Sequence, residues 1–256
     1  MKILFLGTGT STGVPVIGCD CPVCKSENPK NNRLRTSIYL ESDNIRILVD
    51  ASPDLRQQAL RYGVRRIDAV LFTHAHADHV FGFDDIRRFN TIQGTIIPAY
   101  GIPETIRDLK RIFDYVESGD EKKGSYRPRI NFAEINGPFY LGNIEIVPIA
   151  VKHQGPALGY LFEENSKKFG YFPDCLGMDE DAVEKLKNID VMVIDALRYR
   201  PHATHMTVDE SVILLKKIGA KKSFLIHMCH DLEHEELEAY LPDRIGVAYD
   251  GMILEL

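Results

Sequence analysis

Short apolar runs that end in polar, chemically capable residues recur along this chain. Lys2–Leu6 runs into Gly7-Thr-Gly-Thr-Ser-Thr-Gly13, Ile45–Val49 ends at Asp50, and Ala69–Phe72 ends at Thr73-His74. Farther on, Ile144–Val151 leads to Lys152-His153, Lys168–Phe172 to Pro173-Asp174, Val191–Ile194 to Asp195, and Ser223–Ile226 to His227. Short runs rich in Ile, Val and Phe predict buried strands. Apolar residues near three- and four-residue spacing predict helices between them: Leu55–Tyr62, closed by Gly63, then Asp84–Asn90, Glu104–Val116, Asp179–Lys187, Thr207–Ile218 and Glu233–Leu241. Thr207-Val-Asp-Glu210 has the form of a capping box, and Gly219 stands where that helix would end. The polar stretch Ser118–Arg129, with Gly119, Gly124 and Pro128, predicts a mobile surface loop. No repeat, low-complexity segment or linker divides the chain, so residues 1–256 are expected to form one α/β domain.

Composition narrows the classes. The chain is 44% apolar and 27% charged over 256 residues, which is ordinary for a soluble globular protein with a sizeable core. A net charge of −6 supplies no overall basic face, so there is no strong nucleic-acid signal. No stretch approaches the roughly 20 apolar residues that span a bilayer, and no membrane partner is expected. The apolar part of the start, Ile3–Leu6, is shorter than the roughly 7–15 residues of a signal-peptide core, and a first strand is the better reading. The expected compartment is the cytoplasm, where structural disulfides are rare. A homodimer is compatible with the chain.

The chemistry concentrates in His74-Ala-His76-Ala-Asp78-His79. Imidazole and carboxylate are natural ligands for zinc and similar divalent ions, and small Ala75 and Ala77 leave room for the side chains to converge. This HxHxDH segment after an apolar strand resembles the signature of the metallo-β-lactamase superfamily. The resemblance continues with His153, Asp174 and His227, each after a strand and in the family's order. It implies an αβ/βα sandwich of two mixed sheets flanked by helices. It further implies that His74, His76 and His153 hold one metal, that Asp78, His79 and His227 hold the second, and that Asp174 bridges them. Nitrogen and oxygen ligands without thiolate do not choose between zinc and manganese. Asp50 and Asp195 end their strands in the region where that family braces its ligand histidines, and a capping or turn role is the alternative for each.

Gly18-Cys19-Asp-Cys21-Pro-Val-Cys24 is a CxCxxC knuckle suited to a structural zinc with one further ligand. Spacing alone leaves Cys175, Cys229, His230 and His234 open for that ligand. The Gly7–Pro15 stretch followed by this knuckle resembles the PhnP-type phosphodiesterase branch of the superfamily. There a histidine three residues after the last catalytic histidine completes the zinc site. The resemblance therefore implies Cys19, Cys21, Cys24 and His230 as the structural zinc ligands. The segment Asp84-Asp85-Ile-Arg87 departs towards broader relatives, and the long tRNA-holding arm of the tRNA-processing relatives has no counterpart.

The same relatives place a catalytic histidine upstream of the final ligand, and His205 in Pro201-His-Ala-Thr-His205 matches it, with His202 second. Asp78 and His205 are then the catalytic residues, His205 as general acid. Gly7–Gly13 lacks the glycine spacing of a dinucleotide fingerprint and the Gly-Lys-Ser/Thr of a P-loop. It remains a candidate for close approach to the site. Arg198 and Arg200 are better phosphate candidates than Arg87 and Arg88, which suit a solvated helix face.

The leading expectation is a phosphodiesterase using a hydroxide held between two metals. Its substrate would be a small phosphate diester, nucleotide-like (cyclic included) or a sugar phosphate. The alternatives are hydrolysis of a thioester, lactone or amide, and a non-hydrolytic PqqB-like metal-binding role in cofactor biosynthesis.

Overall fold

The computed structural model describes residues 1–116 and 127–256. In chain order the strands are β1 (Lys2–Gly7), β2 (Ser37–Ser42), β3 (Ile45–Val49), β4 (Ala69–Leu71), β5 (Ile97–Gly101), β6 (Ile130–Glu134), β7 (Phe139–Leu141), β8 (Ile144–Val151), β9 (Ala157–Glu164), β10 (Lys167–Phe172), β11 (Val191–Asp195), β12 (Lys222–Ile226), β13 (Ile245–Val247) and β14 (Ile253–Glu255). The helices are α1 (Leu55–Tyr62), α2 (Ala77–Val80), α3 (Ile86–Gln93), α4 (Pro103–Ile112), α5 (Glu180–Lys185), α6 (Val208–Ile218) and α7 (His234–Tyr240).

Two mixed sheets of seven strands result, β14-β1-β2-β3-β4-β5-β6 and β13-β12-β11-β10-β9-β8-β7. In the first, β3 to β6 run parallel, while β2 is antiparallel to both β1 and β3. In the second, β10 to β13 run parallel, while β9 is antiparallel to both β8 and β10. Two reversals restore direction, so β1 points with β3 and β8 points with β10. All seven strands whose ends carry polar chemistry therefore deliver them at the carboxyl edges of the two sheets, where open α/β sheets bind ligands.

The unbroken apolar runs follow from burial on both faces. Along β1, Ile3 and Phe5 join a core with Ile38, Val49, Tyr160, Phe162 and Tyr171, which come from both sheets. Leu4 and Leu6 face the other way, into a core shared with α1, α3 and α4. A third core packs α5, α6 and α7 on the second sheet through Val183, Val212, Leu215 and Leu237. Each fully buried Leu, Ile or Phe stabilises this four-layer stack by about 1.5–3 kcal/mol relative to exposure.

Helix ends follow local chemistry. Thr207 caps α6 in a reciprocal box with Glu210, and Gly219 closes it in the left-handed conformation (φ 70°). The segment expected to be helical over Glu104–Val116 breaks at Phe113 and resumes as a 3-10 turn over Asp114–Val116. The one expected from Asp84 starts as a 3-10 turn at Phe83 and runs on to Gln93, where Gly94 (φ 71°) stops it. Most of the loop expected over Ser118–Arg129 lies outside the described residues. Among the described residues, no helix is long and apolar enough to cross a membrane.

Candidate metal centres

β4 feeds through Thr73 and His74 into α2, a single turn whose N-cap is His76. Asp78 and His79 sit on that turn, buried against the first sheet. Gly82 allows the turn to lie close. A Cβ there would stand 2.0 Å from the Ser52 carbonyl oxygen, on the loop that follows Asp50. Asp50 (φ 63°) and His227 (φ 64°) both occupy left-handed backbone immediately after β3 and β12. That conformation costs an ordinary residue about 1–2 kcal/mol, and such strain concentrates where side-chain direction serves function.

The strand ends bring seven residues together. His74, His76, His153 and Asp174 form one group of ligand-capable atoms, and Asp78, His79 and His227 a second, with the atoms of each group within 4.8 Å of one another. Asp174 stands between them. Its Oδ2 lies 3.8 Å from His74 Nε2 and 3.7 Å from His153 Nε2. Its Oδ1 lies 3.0 Å from His79 Nε2 and 3.5 Å from His227 Nε2. Asp78 Oδ2 closes the second group at 3.3 Å from His79 Nε2 and 3.5 Å from His227 Nε2. His153 Nε2 and His76 Nδ1 approach to 3.2 Å. Two nitrogens bound at ~2.0–2.1 Å to one tetrahedral ion would be about 3.3 Å apart.

Buried His74 Nε2, His79 Nε2, His227 Nε2 and Asp174 Oδ1 have no hydrogen-bond partner. Buried polar atoms normally have one, and four converging orphans fit metal ligands. The ionisation states of all but His79 agree. Burial holds His74, His76 and His153 below the usual imidazole range, which keeps their lone pairs free. Burial would raise the Asp174 carboxyl, but His227 and His79 outweigh it and hold it well below the usual carboxylate range. Asp78 is likewise held low by His79 and His227 against its burial. His79 differs: its burial is outweighed by Asp174, Asp78 and Asp50, which draw its imidazole well above the ordinary value, so a cation would have to displace a proton from it to be bound.

A second layer sets ring orientation. His79 Nδ1 donates to Asp50 Oδ2 at 2.8 Å, and Asp50 also accepts from the Thr73 amide and hydroxyl at 2.8 and 2.9 Å. His153 Nδ1 donates to the Thr204 carbonyl at 2.9 Å. Both rings thereby turn Nε2 toward the ligand groups. Asp195 braces His205 rather than a residue of either group. His205 Nδ1 and the Cys175 amide donate to Asp195 Oδ2 at 2.7 and 2.9 Å, while His227 Nδ1 stays 4.0 Å from Oδ1. His205 Nε2 then lies 3.9 Å from Asp174 Oδ2, and its ring stacks on His227 with centroids 4.8 Å apart. Its nitrogen also falls within ligand range of Asp174 and His227. His202 is exposed, with its ring 5.2 Å from that of His205.

A separate cluster joins Cys19, Cys21 and Cys24 to His230. The three sulfurs stand 3.2, 3.4 and 3.5 Å from His230 Nδ1. A tetrahedral zinc with bonds of ~2.3 Å to sulfur and ~2.0 Å to nitrogen would set this edge at about 3.5 Å. The Cys24 amide draws the Cys21 thiol down to about 6, and burial pushes Cys24 up to about 11. Neighbouring thiols resist losing their protons together unless a cation takes the charge. Of the other residues that spacing left open, His234 accepts from Arg33, and Cys175 and Cys229 stand outside the cluster.

Other expected contacts resolve differently. Gly7 and Gly9 allow close approach to the chain's own backbone, since a Cβ would meet the Arg35 carbonyl oxygen at 2.1 Å and the Arg33 carbonyl oxygen at 2.9 Å. Arg198 donates to the carbonyls of Arg200 and Pro201, and Arg200 pairs with Asp231 at 2.7 Å, so both shape the His205 loop. Arg87 pairs with Asp84 at 3.0 Å on the helix face. The roles of Thr73 and the Thr204 carbonyl were not legible. Thr73 carried one signal, its place between a strand and the first histidine.

The family model for the beta-lactamase superfamily domain matches residues 45–228, more than half of the chain. A solved structure described as a new diphosphatase from the PhnP family is 37% identical, with a TM-score of 0.91 over 100% of this chain and 97% of its own. Zinc-bound PqqB from Methylobacterium extorquens is 21% identical with a TM-score of 0.82 over 100% of both chains, a likeness of fold alone. An octanoyltransferase of Porphyromonas gingivalis is 36% identical over 259 residues, covering 98% of this chain and 51% of that protein. The chain thus spans about half the length of that relative. With all seven residues of the two ligand groups inside the matched span, the chain belongs to the metallo-β-lactamase superfamily and resembles its PhnP family.

Proposed function

We propose that this protein hydrolyses a small phosphate diester, nucleotide-like or sugar-linked, at a centre of two divalent ions, zinc or manganese. The observation that supports this most is Asp174 between two ligand groups, one oxygen toward each. His74, His76 and His153 would hold one ion, Asp78, His79 and His227 the other, and Asp174 both. Ions so placed acidify a water and neutralise charge on phosphoryl oxygens. Asp78 fixes one side of the centre. His205 supplies the proton: Asp195 accepts its Nδ1–H and so turns Nε2 toward the same space, where the ring protonates the leaving oxygen, although burial holds this imidazole below its ordinary value. The likeness to a PhnP-family diphosphatase supports phosphorus–oxygen chemistry. Cys19, Cys21, Cys24 and His230 would hold a structural zinc. Thiolates of that kind belong in a reducing compartment, which supports a cytoplasmic location.

Acyl hydrolysis is the second reading, favoured by the octanoyltransferase name of one relative, about half of which this chain matches. The test is turnover by the metal-loaded protein of bis(p-nitrophenyl) phosphate against an octanoyl thioester. Phosphate-ester turnover that falls on His76→Ala is the expected result. Thioester turnover alone would replace the proposal with the acyl reading, and turnover of neither would favour a non-hydrolytic, PqqB-like role.

A further inference from the structure

His227 is held differently from the ligand-capable histidines around it. His74, His79 and His153 each have a partner for the ring nitrogen turned away from the centre: Thr73 Oγ1 at 3.0 Å, Asp50 Oδ2 at 2.8 Å and the Thr204 carbonyl at 2.9 Å. Partners of this kind ordinarily fix a ligand ring. Among the described residues His227 Nδ1 has none, buried without a hydrogen bond and 4.0 Å from Asp195 Oδ1. Stacking on His205 restrains the ring's tilt, so the direction in which the side chain leaves the main chain falls to the backbone.

That backbone is left-handed, at φ 64°. Outside glycine such a conformation persists only where the surroundings over-determine it. Here the peptides on both sides are tied. Before His227, the Ile226 carbonyl accepts from the Ala196 amide at 2.9 Å. After it, the Met228 amide donates to the Thr8 carbonyl and the Met228 carbonyl accepts from the Thr10 amide, both at 3.1 Å.

Thr8 is itself fixed on every side. It is 0% exposed, and its hydroxyl stands between a guanidinium and a carboxylate, accepting from Arg33 Nη1 and donating to Asp250 Oδ1, both at 2.8 Å. Arg33 is anchored in turn by the Ala248 carbonyl at 2.6 Å and His234 Nδ1 at 3.2 Å, and Asp250 by the Leu34 amide at 2.7 Å. One residue on, the Gly9 carbonyl accepts from the Thr36 amide and hydroxyl at 3.1 and 2.8 Å. A buried hydroxyl with its donor and acceptor roles both taken has no freedom to turn.

The geometry points to Thr8 as the positioning residue of His227: Arg33 and Asp250 fix Thr8, and the Thr8–Thr10 segment holds the left-handed residue that aims its imidazole into the second ligand group. The inference rests on the reading of His227 as a ligand of the second ion and is independent of the bond hydrolysed. The first group is outside this clamp, because His74, His76 and His153 follow β4 and β8.

The test is chelator titration of the cobalt-loaded protein, followed by visible absorption. The thiolate charge-transfer band reports the Cys19, Cys21, Cys24 and His230 cluster, and the weaker bands report the nitrogen–oxygen centre. Wild type should release its two central ions in separable steps, and His227→Ala identifies which step is the second ion. Thr8→Val keeps the volume and removes both hydroxyl bonds. It should weaken the second ion by about 10- to 100-fold, the range for lost outer partners of metal ligands, and leave the first unchanged. Thr8→Ser keeps the hydroxyl and should restore wild-type release. Leu109→Ala, in the core beneath α4, lowers stability away from the clamp and should alter neither step. Wild-type release from Thr8→Val would overturn the proposal. So would equal weakening of both ions, the mark of a merely structural role, or Thr8→Ser behaving like Thr8→Val. A wild type holding only one central ion would overturn the two-ion reading and this proposal with it, whereas two ions in wild type and an unaltered Thr8→Val overturn the proposal alone. If circular dichroism shows Thr8→Val unfolded, Thr36→Val decides. It removes only the hydroxyl bond to the Gly9 carbonyl and should weaken the same step, and unchanged release there would overturn the proposal.

Discussion

Asp195→Asn should separate the proton supply proposed for His205 from metal binding. The two donors to Asp195, His205 Nδ1 at 2.7 Å and the Cys175 amide at 2.9 Å, share one oxygen. An asparagine carbonyl can take that place, so the change keeps shape and removes charge. What is lost is the difference between a charge-assisted and a neutral hydrogen bond to His205, about 1–2 kcal/mol. That corresponds to about 5- to 30-fold in the step that uses the imidazolium. The full contribution of His205 as general acid, about 10²–10⁴-fold, sets the ceiling, and His205→Ala should approach it. The leaving group provides the control. Phenolate needs a proton far more than p-nitrophenolate does. Asp195→Asn should therefore slow diphenyl phosphate by the full factor and bis(p-nitrophenyl) phosphate by no more than about threefold. Both rates would be measured at matched metal content, determined by elemental analysis. Equal losses on the two substrates would refute the acid role, and loss of a metal from the variant would show that His205 and Asp195 serve the ligand set instead.

Two further outcomes follow from other parts of the molecule. Cys21→Ser should remove one metal per chain by elemental analysis and lower the melting temperature by roughly 5 °C or more, while unchanged metal content would remove Cys21 from the ligand set. His234 carries a pH signature: burial, then Arg33, depresses its imidazole to about 4 from an ordinary 6.5. The folded state thus prefers neutral His234, and its contribution is present above pH 6.5 and is lost as pH falls through about 4. His234→Gln keeps an acceptor for Arg33 without titrating. The stability difference between wild type and this variant should shrink in wild type's disfavour from pH 6.5 to 4, and a pH-independent difference would contradict the depressed value.

Much of the grouping at the candidate metal centre was legible because ligand chemistry requires residue types that strand ends seldom carry. His74, His153, Asp174 and His227 each follow an apolar run, and strand direction brings those ends to one edge of the molecule. Strands without such ends were harder to see. β5, Ile-Pro-Ala-Tyr-Gly, holds both a proline and a glycine, and β7, β13 and β14 are three residues each, too short for any period. The partner of Asp195 was hidden for a different reason. His205 and His227 are both near in space, and which one it braces depends on where the 198–205 loop returns, which two arginines settle by bonding that loop's own carbonyls and Asp231.

Arg33 marks the limit most clearly. Within Asn32-Arg-Leu-Arg35, nothing distinguishes an arginine that becomes 2% exposed from the next one, which pairs with Asp54 at 3.1 Å. Arg33's partners are 25, 215 and 201 residues away. Periodicity sees only within one element, and motifs see only chemistry that is contiguous or expected. A buried guanidinium is neither, because its position is decided by the closing of the chain's two ends on each other. Sequence therefore reveals ligand sets built from strand ends more readily than a charge buried between the termini.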